Sequence, residues 1–370
     1  MTRSAQSGNE RLGQLLMAGF EGRTPSKPVE KLLRTQSLGG VILFRRNLKD
    51  PAQVAHLCAD LQKRSSRPLL IAVDEEGGRV SRLPEGFTHF PAAAAMAGTG
   101  SVKLVYRAAE CIAQQLKTVG INMNLAPVLD VNTQPQNPVI GDRAYGTTST
   151  AVSTYGLSAM AALQDNGIIA CGKHFPGHGD TTADSHHELP AVAHGIKRLM
   201  DVEVRPFHHA IQNGLATIMT AHVLYPALDK AVPATLSKRI VTGFLRGMLK
   251  FQGVVVTDDL RMKAISKQHG LGEAAVMVIE AGADLVLICE GEEEIPQVIE
   301  ALAQAVQSGR LTEARIQQSL GRLQQLRDRF LTKAAPPNPR EVKRVIGSDA
   351  HKRLLEEIRS YLHHVGARAV

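Results

Sequence analysis

Tryptophan is absent from this chain, and aromatic residues make up only 4% of its 370 positions, so its core has to be aliphatic. No apolar run approaches the ~20 residues that a membrane-crossing helix needs, which argues against a membrane protein. Four cysteines, Cys58, Cys111, Cys171 and Cys289, are scattered without any CxxC spacing. That pattern suits reduced thiols in a cytoplasm better than a disulfide framework or a structural zinc site. The opening residues carry a short apolar patch but no small-residue cleavage site, so no secretory signal is expected and the expected location is cytoplasmic. No GxGxxG opens a helix after the first strand, no HEXXH occurs, and neither internal repeats nor low-complexity segments are evident.

What is present is globular: 44% hydrophobic and 21% charged residues, with 32 glycines and 18 prolines. Collagen-like, coiled-coil and disordered chains are excluded. The length allows two ordinary domains or one large α/β barrel. A formal charge of +8 invites an anionic partner, but the cations are spread along the chain with no interleaved aromatics, so nucleic acid is not expected. The basic balance suits an acidic small substrate.

Short apolar runs alternate with amphipathic stretches. Strands are expected at 15–20, 40–44, 69–73, 121–126, 168–173, 217–221, 254–257 and 284–288, with helical patterns between them such as 51–63, 102–119 and 273–281. Eight strand–helix units predict an α/β fold, a single (β/α)8 TIM-type barrel with a C-terminal helical tail, rather than an open sheet. The barrel is expected over 1–333, a Pro-rich linker over 334–340 and a basic helical tail over 341–370. In the tail, Leu354, Ile358, Leu362 and Val365 form an apolar stripe, read as a helix packed on the barrel wall.

Polar clusters follow five of the expected strands: VDEEGG, APVLDVN, KHFPGHGD, AHV and TDD. Barrel enzymes assemble their sites at that carboxyl rim. In the stretch 171–190, Pro176, Gly177 and Gly179 break the backbone and start a long loop. Two residues apart in that loop, Asp184 and His186 can place a carboxylate on one imidazole nitrogen, leaving the other to exchange a proton. The bland alternative is a DSH turn in which Asp184 caps backbone donors. Asp258 ends a buried apolar strand, where a carboxylate can act as nucleophile or as partner to a developing cation. Its neighbour Asp259 suits a helix cap. Asp74, with Arg79 and Arg82 close behind, and Arg143 on another loop are able to bind polyol oxygens, although singly each is more often a surface ion-pair member. Lys173 and His174 leave the fifth strand together, and an ammonium at that depth is costly unless it meets a carboxylate or substrate. Together these groups suit retaining glycoside cleavage, with a histidine in place of the usual second carboxylate.

At these residues the sequence resembles glycoside hydrolase family 3, in particular its NagZ-type β-N-acetylglucosaminidase branch. KHFPGHG at 173–179, DSH at 184–186, VDEEGGRVSR at 73–82, GDRAYG at 141–146 and VTDDL at 256–260 carry the likeness, which runs from about residue 10 to 330. The resemblance implies a metal-free and cofactor-free enzyme: Asp258 as nucleophile, His186 as acid/base, Asp184 as its dyad partner. It also implies that Asp74, Arg82, Arg143, Lys173 and His174 contact a terminal N-acetylglucosamine (GlcNAc), which would be removed from 1,6-anhydro-muropeptides in cytoplasmic cell-wall recycling by a monomer. Many relatives read DQEGG where this chain has Asp74-Glu75-Glu76-Gly77-Gly78, which adds a charge.

Three rivals stand beside this reading. The same nucleophile and dyad could deliver the sugar to phosphate, making a GlcNAc phosphorylase. His174, His178, His186, His187, Asp184 and His222 could compose a metal-dependent barrel hydrolase, although their spacing matches no helical ligand pair. A sugar-binding or regulatory protein would keep the fold without the chemistry, and would need none of Asp258, Asp184 and His186.

Overall fold

Strands rich in Val, Ile and Leu that are buried on both faces pair in parallel and need helices to cover them. The chain does this eight times. The structure, a computed structural model, describes residues 8–185, 188–332 and 336–367. Its barrel strands are β1 Leu16–Ala18, β2 Gly40–Leu43, β3 Leu70–Val73, β4 Met123–Asn124, β5 Ile169–Phe175, β6 Thr217–Thr220, β7 Val254–Thr257 and β8 Val286–Ile288. Every residue in them is buried. They lie in the spatial order β8-β1-β2-β3-β4-β5-β6-β7, all parallel. The ring closes where Val256 of β7 pairs with Leu285, just ahead of β8. The fold is the expected (β/α)8 barrel.

Two strands differ in length from their apolar runs. β4 shrinks to two residues, whereas β5 runs on past Lys173 to Phe175. The cause is shared: the chain after β4 keeps pairing along β5, with Leu129 N donating to Lys173 O at 2.7 Å and Lys173 N to Pro127 O at 3.2 Å. The register of β5 against β6 then shifts between Gly172 and Phe175. Such a bulge re-aims side chains, and both Lys173 and His174 line the mouth of the barrel.

The floor of the closing seam is tied by one buried carboxylate. Asp284, fully buried at the start of the β8 segment, accepts from Val255 N at 3.0 Å, Ser319 Oγ at 2.7 Å, Arg246 at 2.5 Å, Arg322 at 3.1 Å and Arg315 at 3.3 Å. Three guanidiniums share this carboxylate, and Arg246 and Arg315 also cap carbonyls of Gly282, Ile279 and Ala283 after the helix Leu271–Ala281.

The helices Pro339–Val345 and Asp349–Ala367 lie on the barrel wall over the helices Pro51–Arg64 and Val102–Thr118. The first begins inside the segment read as a linker, whose first residues, Ala334 and Ala335, lie outside the described set. Val342, Leu354 and Ile358 are buried and Leu362 packs on the same cluster. The side chain of Val365 is outside the described set. Polar ties add to this face: His351 Nε2 to Gln114 Oε1 at 3.1 Å, and Arg107 to both oxygens of Glu357 at 3.0 and 2.8 Å. Among the described residues no helix is long and apolar enough to cross a membrane.

Because removing one carboxylate would strand three half-buried cations, Asp284→Ala should cost about 3–5 kcal/mol of folding stability. Urea unfolding checks this; a loss under about 1 kcal/mol would show that the backbone seam holds without the cluster.

Candidate active site

At the carboxyl ends of the strands lies a cavity of about 430 Å³, within the usual range of small-molecule sites. Its floor is apolar, from Ile42, Leu125, Met219 and Leu287, and its rim carries Asp74, Glu76, Arg82, Arg143, Lys173, His174, Asp184 and Asp258. Seven of the eight site residues singled out from the sequence therefore meet in one place. The eighth, His186, lies outside the described residues, as does His187.

A hairpin of Glu75–Gly77 and Val80–Ser81 follows β3. Its turn needs glycine: Gly77 and Gly78 have φ of +90° and +56°, and a Cβ on Gly78 would sit 2.5 Å from the Cβ of Ala92. The hairpin sends the two neighbouring acids to opposite environments. Glu76 enters the cavity, whereas Glu75 turns into protein, where its Oε2 accepts from Ser81 Oγ at 2.9 Å, Arg82 N at 3.1 Å and Leu83 N at 3.3 Å. Burial pushes the Glu75 carboxyl up to about 7, against the pull of those donors. The extra charge of this chain's DEEGG is thus housed away from the cavity, bracing the backbone of Arg82. The Arg82 side chain lines the cavity, and its buried Nε has no hydrogen-bond partner among the described residues.

Lys173 meets the carboxylates that its depth requires. Its Nζ lies 2.7 Å from Asp74 Oδ1 and 2.7 Å from Glu76 Oε1. Glu76 in turn takes a fork from Arg143, Nη2 to Oε1 and Nε to Oε2, both at 2.8 Å. Two cations and two anions alternate, with the Lys173 and Glu76 side chains each only 3% exposed. Burial alone would raise the Glu76 carboxyl, but Lys173 and Arg143 outweigh it and hold it at about 2. Arg79, from the same hairpin, instead clamps a wall loop through Asp142 Oδ1 at 2.8 Å and Val139 O at 2.6 Å.

His174 Nδ1 is 2.7 Å from Asp130 Oδ2, which leaves Nε2 as its remaining nitrogen. Asp130 is fully buried and also accepts from His174 N at 3.1 Å and His178 N at 2.6 Å. Burial opposes its charge, yet the neighbouring histidines and these donors keep its carboxyl below the ordinary range. Asp258 follows β7 and is half-buried, its Oδ1 accepting from Asp259 N at 2.8 Å. Asp259 is not the helix cap expected of it, since the next helix, Lys263–Ser266, has Met262 at its N-cap with no side-chain bond; its Oδ1 instead accepts from Arg261 N and Cys289 N, both at 3.1 Å, tying the turn after β7 to the end of β8. Of the metal-site rival's imidazoles that lie among the described residues, each has at least one ring nitrogen in a hydrogen bond: His174 with Asp130 as above, and the other two as follows. His178 bridges Thr181 and Ser185, and His222 Nε2 is 2.9 Å from Asp259 O. Among the described residues no group of His, Cys, Asp and Glu is placed to hold a metal ion.

Sequence reading missed Glu76 and Asp130 as site residues, and treated His178 only as a metal ligand. Asp130 carried a usable signal: a lone acid in the apolar run after β4 has to be buried and therefore partnered. Arg46 was also missed. It lines the cavity over the Phe44 ring, 4.6 Å from its centroid, and donates to Cys289 O at 2.7 Å.

A pocket with an apolar floor and a rim of fixed charges, at the carboxyl end of a (β/α)8 barrel, is where enzymes of this fold place their active sites. The chain belongs to glycosyl hydrolase family 3, whose N-terminal domain profile matches residues 8–326. It is 36% identical over 322 residues to a β-hexosaminidase of Nitrosomonas eutropha, covering 85% of this chain and 92% of that one. β-Hexosaminidase A of Pseudoalteromonas piscicida is 33% identical, covering 95% of this chain and 65% of that one. The family 3 β-N-acetylglucosaminidase of Paenibacillus sp. str. FPU-7 superposes with a TM-score of 0.91 at 46% identity, covering 96% of this chain and 69% of that one. A share that large has to include most of the C-terminal helices.

The depressed Glu76 carboxyl links the site to acid stability. Its folded value of about 2 lies below the ordinary 4.5, so the unfolded chain binds more protons between them and stability falls as pH drops through that window. The contribution above pH 5 is on the order of 3 kcal/mol. Glu76→Gln should flatten this acid limb in melting curves taken from pH 5 to 2.5; an unchanged slope would assign it to other carboxylates.

Proposed function

We propose that this chain is a retaining, exo-acting β-N-acetylglucosaminidase. The observation that carries the reading is that Asp258 shares one cavity with Asp74, Arg82, Arg143, Lys173, His174 and Asp184. The sugar's apolar face rests on the floor of Ile42, Leu125, Met219 and Leu287, and its hydroxyls reach the charged rim. Because Lys173 is fixed between Asp74 and Glu76 and His174 by Asp130, these donors and acceptors need little reorganisation to hold the terminal residue.

The Asp258 carboxylate attacks the anomeric carbon while the His186 imidazolium, paired with Asp184, gives its proton to the departing oxygen. Neutral His186 then takes a proton from water, whose hydroxyl forms the new bond to the anomeric carbon as the ester to Asp258 breaks. An imidazole in this role adds no second anion beside the nucleophile. The natural substrate is a GlcNAc-terminated 1,6-anhydro-muropeptide of cell-wall recycling, supported by the NagZ-type motifs. The free cysteines, three of them buried, support a reducing, cytoplasmic setting.

The test is release of 4-nitrophenol from its β-N-acetylglucosaminide in chelator-containing buffer, with and without phosphate. Release independent of phosphate, with little from the β-glucoside, is expected; a requirement for phosphate would make the chain a phosphorylase, and a requirement for metal would overturn the scheme. Asp258→Ala should lower kcat by about 1,000-fold or more with the fold intact. Near-normal turnover in that variant would remove Asp258 as nucleophile.

A further inference from the structure

The histidine that the reaction scheme leaves unused, His178, lines the cavity with both ring nitrogens tied. It is 1% exposed, and both ring nitrogens have hydroxyl partners: Nδ1 and Thr181 Oγ1 at 2.9 Å, Nε2 and Ser185 Oγ at 3.0 Å. Ser185 is the residue between Asp184 and His186, and it too is 1% exposed. We propose that His178 is a positioning residue for the acid/base, its imidazole anchoring Ser185 and thereby setting the Asp184–Ser185–His186 tripeptide against the cavity. The inference rests on the reaction scheme above.

The anchor is held from behind. The His178 backbone donates to Asp130, which also orients His174, and Asn137 Nδ2 donates to His178 O at 2.9 Å and to Thr181 Oγ1 at 3.2 Å. Thr181 Oγ1 donates to His178 O at 3.1 Å, so its remaining lone pair takes the Nδ1 proton. Burial first, and then the neighbouring His174, hold His178 at about 4, hence neutral. With the proton on Nδ1, Nε2 accepts the Ser185 hydroxyl. A hydroxyl this deeply buried needs a partner. On its other side Ser185 O accepts from Ala264 N at 3.3 Å, from the chain beyond β7. Asp184 and His186 are each one peptide, about 3.8 Å between Cα atoms, from this fixed point. At the neck of the loop Asp180 pairs with His194 and accepts from Thr133 Oγ1 at 2.7 Å. The neck is tied separately, so at Ser185 the His178 ring holds the side chain while the Ala264 N–H holds the backbone.

A displaced acid hurts only substrates whose leaving group needs a proton. His178→Ala is therefore expected to lower kcat on N,N′-diacetylchitobiose by about 100-fold and on the 4-nitrophenyl glycoside by less than about 10-fold, with KM little changed. His178→Gln, whose amide reaches the position of Nε2, should recover part of the loss. Ser185→Ala, which cuts the same bond from the loop side, should reproduce the split if His178→Ala fails to fold. Equal losses on both substrates, or none on either, in the folded variants would overturn the proposal. His186→Ala serves as the reference: a split there but in neither of the other variants sinks this inference alone, and no split there sinks the acid/base assignment as well.

Discussion

A single buried ammonium sets the constraint around which the mouth of this barrel is built. Lys173 emerges from β5 where water is scarce, and an uncompensated charge there would cost several kcal/mol. The compensation comes from across the barrel, since Asp74 and Glu76 follow β3 and Glu76 draws in Arg143 from a third loop. One desolvation problem thus fixes three rim segments relative to each other. Its solution leaves a row of fixed donors and acceptors facing an apolar floor, the arrangement on which the proposed sugar binding rests.

Asp130 does the corresponding work on the neighbouring side. Its two oxygens serve the His174 ring, the His174 backbone and the His178 backbone. The cavity wall and the loop that follows therefore share a foundation. From there the path runs through His178 to Ser185, so the proposed sugar contact His174 and the proposed anchor of the acid/base loop share one buried carboxylate.

The opposite end of the barrel shows a different economy of charge. Asp284 and three arginines lock the seam between β7 and β8 and cap the preceding helix, and none of the four lines the cavity. Functional charge at the carboxyl face and structural charge at the floor follow the usual division of labour in this fold. It explains why clusters of comparable burial carry different meaning at the two ends.

The order of strands and helices was legible from hydrophobic runs alone, because parallel strands buried on both faces have to be continuously aliphatic. The strand-end motifs named most of the rim for a related reason: charged residues directly after such strands have few places to go. The sequence by itself therefore determined the barrel, the family and seven side chains that line one cavity. It did not say that Glu76 faces the cavity while Glu75 faces away, since that choice belongs to a two-glycine hairpin whose turn is set by contacts with Ala92 and Pro91. Nor did it say that Asp130 supports two histidines more than 40 residues downstream, or that His178 reaches Ser185. Pairings between distant segments follow from which buried polar groups must share partners, and only the closed tertiary structure decides them.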